Sequence, residues 1–388
     1  KRNEIIENIN KYKINVKTLP SISEFVDGRV RISDIKDLNI DDLLSRKEVQ
    51  PDYYLLNKNI SFKTIVVTGA GGSIGSELSR QIFRLNPNKL VLIELNEFAL
   101  YAIHEELKNL NKNIRLIPLL VNAQDQSKLE KIFELFKVDT VYHCAAYKHV
   151  SLVEENICEG VKNNVYSTLA VANASIIKKV STFVLISSDK AVRPTNMMGA
   201  TKRLSELCIQ GIHDQNKESS TNFSIVRFGN VLASSGSVIP KFTKQIKDGG
   251  PVTLTHENVT RFFMTITEAA QLVIQAGAMG KYSEVFVLDM GESVKIKDII
   301  IKMIKLSGLS LRDSNNNNGD LEIKITGLKP GEKLYEELLI GTNPEKTNHP
   351  KIYKTNDPYI PFIELKDVLK KLKTLLNNNN SYEVKKLY

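Results

Sequence analysis

The stretch Lys63-Thr-Ile-Val-Val-Thr-Gly-Ala-Gly-Gly-Ser-Ile-Gly-Ser-Glu-Leu78 decides the fold. Its β-favouring residues Thr64 to Val67 run into Thr68-Gly69, and glycines follow at 69, 72 and 75. Ile74, Leu78 and Ile82 then keep helical spacing, so the order is strand, glycine turn, helix. In that order Gly69 serves the tight turn and Gly72 admits a pyrophosphate close to the backbone. Gly75 lets the helix pack on the strand, and the helix N-terminus with Ser73 and Ile74 faces the phosphate charge. Val91-Leu-Ile-Glu94 reads as the second strand. A carboxylate at its end accepts the hydroxyls of an adenosine ribose and repels a 2′-phosphate, which favours NAD over NADP.

Outward from this unit the pattern stays α/β. Strands are expected at 64–68, 89–93, 114–120 and 139–144, with helices at 73–85, 97–110 and 126–137 between them. One long helix over roughly 152–178 follows, then strand Thr182 to Ser187, helix 199–214 and strand Phe223 to Phe228. Such alternation implies a Rossmann-type, doubly wound parallel sheet with right-handed crossovers. Ligands of that architecture sit beyond the carboxyl ends of the strands, where Asn122, Ala123, Ala145 and Ala146 complete the cofactor candidates. After Gly229 the periodicity loosens into a smaller, loop-rich C-terminal substrate lobe. Helix Thr267 to Met279 and strand Glu284 to Leu288 are expected to rejoin the main body. The division is therefore 1–61 extension, 62–230 cofactor-binding domain, and 231–388 substrate lobe with parts of 265–290 returning. In the extension a short helix is expected over Ile35 to Leu44, and Val49-Gln-Pro-Asp-Tyr-Tyr54 reads as extended. Ser314 to Gly319 reads as a polar loop, and Asn377 to Asn380 as the fraying of a final helix.

The 388 residues carry 53 basic and 44 acidic side chains, a net charge of +9. The lysines are scattered and no basic block is interleaved with aromatics, so nucleic acid is the weakest partner class and an anionic small molecule a stronger one. Cys144, Cys158 and Cys208 lack metal-ligand spacing, so no metal is expected, and Cys144 falls in an apolar strand. No run of 18 apolar residues exists to span a bilayer. The chain begins at Lys1, and a preceding segment could carry a membrane anchor.

The chemistry gathers after strand Thr182 to Ser187, in Ser187-Ser188-Asp189-Lys190, followed by Met198-Gly-Ala-Thr-Lys202. Here the chain resembles the extended short-chain dehydrogenase/reductase family, whose signature is Ser or Thr, then YxxxK on the next helix. Positions i and i+4 share a helix face. Lys202 matches the family lysine, while Met198 stands in place of the tyrosine, and a thioether cannot relay a proton. Asp189-Lys190 resembles the acid–base pair of the 4,6-dehydratases acting on UDP-N-acetylglucosamine. His143-Cys-Ala-Ala-Tyr-Lys-His-Val150, Asn163-Asn164, Arg227-Phe-Gly-Asn-Val231, Gly236-Ser-Val-Ile-Pro240, Thr260-Arg-Phe-Phe-Met264 and Lys329-Pro-Gly-Glu-Lys-Leu-Tyr-Glu-Glu-Leu338 resemble the same branch. Asp41 to Val49 resembles the segment before the catalytic domain in its long, membrane-anchored members, among them the bacillosamine-pathway dehydratase of bacterial protein glycosylation.

The resemblance implies an NAD-dependent elimination in which Asp189 protonates the leaving 6-hydroxyl, Lys190 takes the C5 proton and Ser188 bonds the 4-hydroxyl. Asp189 then needs a raised pKa and Lys190 a depressed one, the latter expected from crowding by Lys202 and desolvation. Two routes for the 4-hydroxyl proton stay open: Asp189 through Ser188 or a water, and neutral Lys202. Arg261 and Lys241 are candidates for the diphosphate, Asn230 for phosphate or sugar, Val238, Pro240 and Thr253 for the uracil pocket, and Glu332 for the uridine ribose. Lys148 and His149 are candidates for substrate contact. His143 reads as a satisfied histidine, and Tyr147 and Tyr166 as packing. The resemblance further implies C5 retention, a homo-oligomer, and a place at the cytoplasmic face of the bacterial inner membrane, this chain being the soluble portion. Two other functions fit the sequence: a UDP-sugar 4-epimerase using Ser188, and a catalytically silent NAD-binding protein.

Overall fold

A computed structural model describes residues 49–388 apart from 111–112, 233, 235 and 342–343. Before residue 49 only the pairing of Lys17–Thr18 with Lys36–Asp37 is defined. Lys36 and Asp37 are strand where a helix over Ile35 to Leu44 was expected; the rest of that helix, and Asp41 to Glu48, lie outside the described residues.

Nine strands form the main sheet: β1 Thr64–Thr68, β2 Lys89–Glu94, β3 Arg115–Leu120, β4 Thr140–His143, β5 Thr182–Ile186, β6 Asn222–Arg227, β7 Glu284–Leu288, β8 Glu345–Lys346 and β9 Ile352–Thr355. Their order across the sheet is β8-β9-β7-β6-β5-β4-β1-β2-β3. The pairings from β7 through β3 are parallel, and β9 joins β7 antiparallel. This is the Rossmann-type arrangement, with the order reversing at β1 and β4.

Both faces are covered, so β1, β4 and β5 are buried along their whole length. Ile65 and Val67 point into one core with α1 Ser73–Arg84 and α2 Glu97–Lys108. Val66 points into the other, with α3 Gln126–Phe136 and α4 Ser167–Ile177, as the two-residue period of a strand requires. Each buried aliphatic side chain contributes about 1.5–3 kcal/mol. Polar residues start the helices: Asn96, Asp125 and Asn196 accept from the amides of Ala99, Lys128 and Gly199. The last of these opens α5 Met197–Gln215.

A separate core is built by α6 Val238–Lys247, α8 Ile296–Leu306 and a parallel pair of short strands, Val252–Leu254 with Ile323–Ile325. Phe242, Ile246, Leu254, Ile300 and Ile304 fill it. Between these pieces α7 Ile266–Met279 and β7 return the chain to the main sheet, where α7 packs against α1.

Four local expectations need correction. Val49 to Asp52 has no regular structure, but Tyr53 and Tyr54 open a helix, Tyr53–Lys58, because Asp52 caps the amides of Tyr54 and Leu55. Asp52 N–H donates to Gln275 Oε1 at 2.9 Å and Lys58 Nζ to the Ala278 carbonyl at 2.7 Å, which docks this helix on α7. The long helix over 152–178 is broken: Val150–Glu155, Ile157–Val161, a π-helical turn Lys162–Tyr166, then α4. The Asn377 to Asn380 run is a break, since α9 Phe362–Asn377 is followed by α10 Ser381–Leu387, capped by Asn380. Strand β4 ends at His143, leaving Cys144 half-buried beyond it.

Candidate active site

The glycine turn leaves β1 at its carboxyl end. Gly69 takes a φ of +65°, and a Cβ there would stand 2.7 Å from the Ala145 amide nitrogen. The turn therefore lies flat against the loop after β4. A Cβ on Gly75 would meet the Gly69 carbonyl at 2.0 Å, so α1 rests on the turn itself. Gly72 is the N-cap of α1 with no side chain over the helix end. The amides of Ser73, Ile74 and Gly75 begin that helix, where the dipole favours an anion. Glu94 caps the opposite side: its carboxylate accepts from Gly71 N at 3.0 Å, Leu95 N at 2.8 Å and Asn96 N at 3.0 Å. Three amides occupy three of about four acceptor positions, which leaves capacity for a hydroxyl donor. Ala123 is buried and Asn122 exposed after β3, and Ala145 and Ala146 are half-buried after β4. All lie around the same mouth, a cradle shaped for a dinucleotide.

At the end of β5 the ladder continues past the strand. Ser187 N–H donates to the Val226 carbonyl at 2.8 Å and Asp189 N–H to the Phe228 carbonyl at 3.1 Å. This holds Ser188 to Ala191 as a fixed turn beside β6. Ser188 Oγ donates to Asp189 Oδ1 at 2.7 Å, and Lys190 Nζ donates to the same oxygen at 3.0 Å. Asp189 is 1% exposed, and its Oδ2 has no hydrogen-bond partner. Lys190 Nζ also donates to Asn230 Oδ1 at 3.1 Å and lies 3.5 Å from Glu336 Oε1. Helix α5 approaches because residue 199 is glycine: a Cβ there would sit 2.2 Å from the Lys190 carbonyl.

The expected depression of Lys190 is absent from this ligand-free arrangement. Burial opposes its charge, but Asp189 and Glu336 more than offset that, and the ammonium is held above the ordinary lysine range. The cation that works against it is Arg261, with no contribution from Lys202. Lys202 behaves differently: burial pushes it down to about 8, against Glu206 and Cys144, and its Nζ donates to the Ile186 carbonyl at 2.5 Å. Met198, one turn earlier, is 3% exposed and belongs to an apolar cluster with Val153, Val165 and Leu204. It fills core where a tyrosine would present a hydroxyl.

Asn164, on the π-helical turn, ties the loop after β4 to α5. It accepts from Tyr147 N at 2.7 Å and donates to Tyr147 O at 3.0 Å and Thr201 Oγ1 at 2.9 Å. His143 is satisfied by Thr68 Oγ1 at 2.7 Å and Thr168 Oγ1 at 3.2 Å, and burial pushes it down to about 3, so it stays neutral. Tyr166 is packed and donates to Leu369 O at 2.9 Å, but Tyr147 is exposed rather than packed. Lys148 and His149 are exposed; both are pushed down by burial, His149 also by Lys148. The His149 ring lies over Gly236, where a Cβ would meet Cε1 at 2.3 Å.

The substrate candidates form a second group. Arg261 Nη2 donates to Glu332 Oε1 at 3.3 Å, and its Nε lies 3.7 Å from Glu336 Oε1. Glu332 also accepts from Thr255 Oγ1 at 2.9 Å and from Lys329 N at 3.1 Å. Lys241 is exposed on the first turn of α6, pushed down by burial and by neighbouring Lys329. Val238 and Pro240 start that helix, and Thr253 is paired with Gln245 farther along it, at 2.9 and 3.1 Å. Thus Asn230, Arg261 and Glu332 connect to Lys190 directly or through Glu336, whereas Thr253 is engaged elsewhere. Glu336 was missed by sequence reasoning. It stood inside a recognised motif, but nothing in local spacing sets it over a lysine 146 positions earlier.

Among the described residues no cluster of histidine, cysteine or carboxylate side chains could hold a metal, and no helix is long and apolar enough to cross a membrane. A cavity of about 620 Å³ near His213, Tyr282 and Asn356 opens toward the amino ends of β6 and β7. The glycine turn and the Asp189 pair lie at the carboxyl ends, so that cavity is not their cleft.

Known proteins resemble this chain. A family model described as polysaccharide biosynthesis protein matches residues 65–357. The capsular polysaccharide biosynthesis protein CapD of Staphylococcus aureus is 46% identical over 338 residues, covering 87% of this chain and 55% of its own length. The probable polysaccharide biosynthesis protein EpsC of Bacillus subtilis is 47% identical over 327 residues, covering 84% and 53%. The chain spans about half the length of these curated relatives. The X-ray structure of Pen from Bacillus thuringiensis superposes with a TM-score of 0.68 at 31% identity, covering 81% of this chain and 99% of that one. The matched span runs from β1 to the residues just after β9 and so includes both the glycine turn and the Asp189-Lys190 turn; the chain belongs to the polysaccharide biosynthesis protein family.

Proposed function

We propose that this chain is an NAD-dependent UDP-N-acetylglucosamine 4,6-dehydratase that retains C5 configuration. The observation that carries the reading is the Asp189–Lys190 pair, 3.0 Å apart at the carboxyl end of β5, with Ser188 on the same carboxylate oxygen. A 4-epimerase has no use for a buried acid paired with a lysine there, since it breaks no bond at C5 or C6. The cradle fits the cofactor: a glycine turn that any Cβ would fill, an uncapped helix N-terminus, and a carboxylate at the end of β2. NAD held there would supply the hydride acceptor for sugar C4 and the hydride donor for C6.

The chain's own residues move the protons. Ser188 bonds the 4-hydroxyl and passes its proton to Asp189, to which it already donates at 2.7 Å. That relay favours Asp189 over Lys202 as the acceptor. Protonated Asp189 then gives the same proton to the departing 6-hydroxyl, so it begins and ends the cycle as a carboxylate. Lys190, as the free amine, takes the C5 proton once the C4 ketone has acidified it, and gives a proton back to C5 on the same face. Lys190, held above the ordinary lysine range by Asp189 and Glu336, must therefore lose its proton when the sugar covers the site and excludes water. Lys202 steadies the nicotinamide ribose. Arg261 and Lys241 bind the diphosphate, the guanidinium being suited to paired phosphate oxygens. Glu332 takes the uridine ribose hydroxyls, Val238, Pro240 and Thr253 flank the uracil, and Lys148 and His149 contact substrate from the loop after β4. The unit would act as a homo-oligomer at the cytoplasmic face of a membrane.

The test is an NMR time course with UDP-N-acetylglucosamine in D₂O. A 4-keto-6-deoxy product with deuterium at C5 and unchanged C5 configuration is expected. Lys190→Ala should lower turnover by roughly 10²–10⁴-fold while the protein stays folded. A 4-epimer without water loss would replace this reading, and NAD binding without any turnover would leave a dinucleotide holder.

A further inference from the structure

Glu336 sits in the segment after residue 325, far in sequence from β5, yet its side chain is 4% exposed and reaches the Lys190 amine. Lys190 Nζ is flanked by Asp189 Oδ1 at 3.0 Å on its own turn, Asn230 Oδ1 at 3.1 Å after β6, and Glu336 Oε1 at 3.5 Å. Arg261, on the short strand Thr260–Arg261, lies 3.7 Å from the same Glu336 oxygen and is itself shared with Glu332. Glu336 Oε2 is buried and has no hydrogen-bond partner. An unmatched carboxylate oxygen in a buried site is costly, about 1–3 kcal/mol or more for a charged group, and packing alone does not call for it.

We propose that Glu336 is a positioning residue that, together with Asp189, holds Lys190 as an ammonium until substrate arrives, with Arg261 on the same Glu336 oxygen tempering that hold. The proposal rests on Lys190 being the base of the dehydration reading. A diphosphate drawn to Arg261 takes the guanidinium from Glu336 and leaves that carboxylate to Lys190 alone, so substrate binding and the charge on Lys190 are coupled through one carboxylate, and release of the proton falls to desolvation by the sugar. The coupling is electrostatic. No bond forms or breaks at Glu336, and the proton that leaves Lys190 goes to solvent as the site closes. The raised pKa of Lys190, to which Glu336 contributes after Asp189, agrees with the geometry.

The experiment has two readouts on full-length chain with NAD. Lysine Nζ resonances of ¹⁵N-labelled protein are titrated without substrate, with Lys190 assigned through Lys190→Arg. In Glu336→Gln the Lys190 midpoint should shift downward from wild type, and Glu336→Asp should restore part of the shift. The pH profile of UDP-N-acetylglucosamine turnover is the second readout. Its rising limb, which reports the free amine, should move to lower pH in Glu336→Gln, so the variant keeps a larger share of its maximal rate on the acid side. A merely structural lesion would lower the whole profile without moving it. An unchanged Lys190 midpoint in folded Glu336→Gln protein would overturn the proposal. Should wild type give no turnover at all, the dehydration reading fails while the NMR titration still tests the hold of Glu336 on Lys190.

Discussion

At the scale of single residues, two lysines near one strand end are driven in opposite directions by what surrounds them. Lys190 has two carboxylates within 3.5 Å and keeps its proton. Lys202 has only a backbone carbonyl at 2.5 Å, with Glu206 and Cys144 farther off, and burial brings it down to about 8. A lysine with a depressed folded pKa binds fewer protons than the unfolded chain between that value and the ordinary lysine range. Stability from this group therefore rises as pH climbs through about 8. Urea unfolding of wild type and Lys202→Met at pH 7 and pH 9.5 isolates the effect. Wild type is expected to gain stability relative to the variant at the higher pH, and an equal difference at both would remove the burial argument. Lys202→Met should also bind NAD more weakly, because the proposed contact of its amine with the nicotinamide ribose is lost.

Among elements, the glycine turn and α1 act as one piece. The strand before it is apolar on both faces, so β1 cannot shift, and α1 is pressed onto the Gly69 carbonyl. Gly75→Ala puts a methyl 2.0 Å from that carbonyl, and the cost must be met by moving the helix N-terminus proposed to take the pyrophosphate. NAD affinity by calorimetry should fall about tenfold or more, equivalent to about 1.4 kcal/mol. Gly341→Ala, with open space around it, should leave affinity unchanged and serves as the control. These strands and helices were legible in sequence nearly to the residue, because β-branched runs and helical spacing are local properties. The breaks were not. The segment from 150 to 177 contains no proline to mark a break, and the π-helical turn inside it brings Asn164 to the backbone of Tyr147 and to Thr201. Tyr53 and Tyr54 became helical because Asp52 caps them and α7 receives the helix, a surface that the local pattern does not contain.

For the whole molecule, a buried ionic network ties the carboxyl end of the sheet to the C-terminal third. Arg227, fully buried at the end of β6, donates from Nε to Glu206 Oε1 at 2.7 Å and from Nη2 to Oε2 at 2.6 Å. Its Nη1 pairs with Asp357 Oδ2 at 2.5 Å just past β9, and Ser187 Oγ donates to Glu206 Oε1 at 2.6 Å. Burial favours neutral Glu206, but Arg227 outweighs it and holds the carboxyl below the ordinary range. Stability from this group is thus present above the unfolded glutamate value and lost as pH falls through the folded one. Arg227→Met leaves two buried carboxylates with Arg203 as their remaining cation, at 3.0 Å from Glu206 and 3.7 Å from Asp357, and should cost about 3–5 kcal/mol, read as a lower urea midpoint, with the deficit smaller in acid. An unchanged midpoint would mean that the network is not holding the C-terminal segment.

The chain by itself determined the strand and helix order, the parallel sheet, the phosphate-facing turn and the Ser188-Asp189-Lys190 cluster, since each is written in neighbours or in a period of two or 3.6 residues. Tertiary structure alone decided that Glu336 and Arg261 stand over Lys190, that Met198 faces the core, and that Arg227 is buried between two acids. Those outcomes join positions scores of residues apart. The charge on a buried side chain depends on which groups packing places within a few ångströms of it, and no local pattern records that distance.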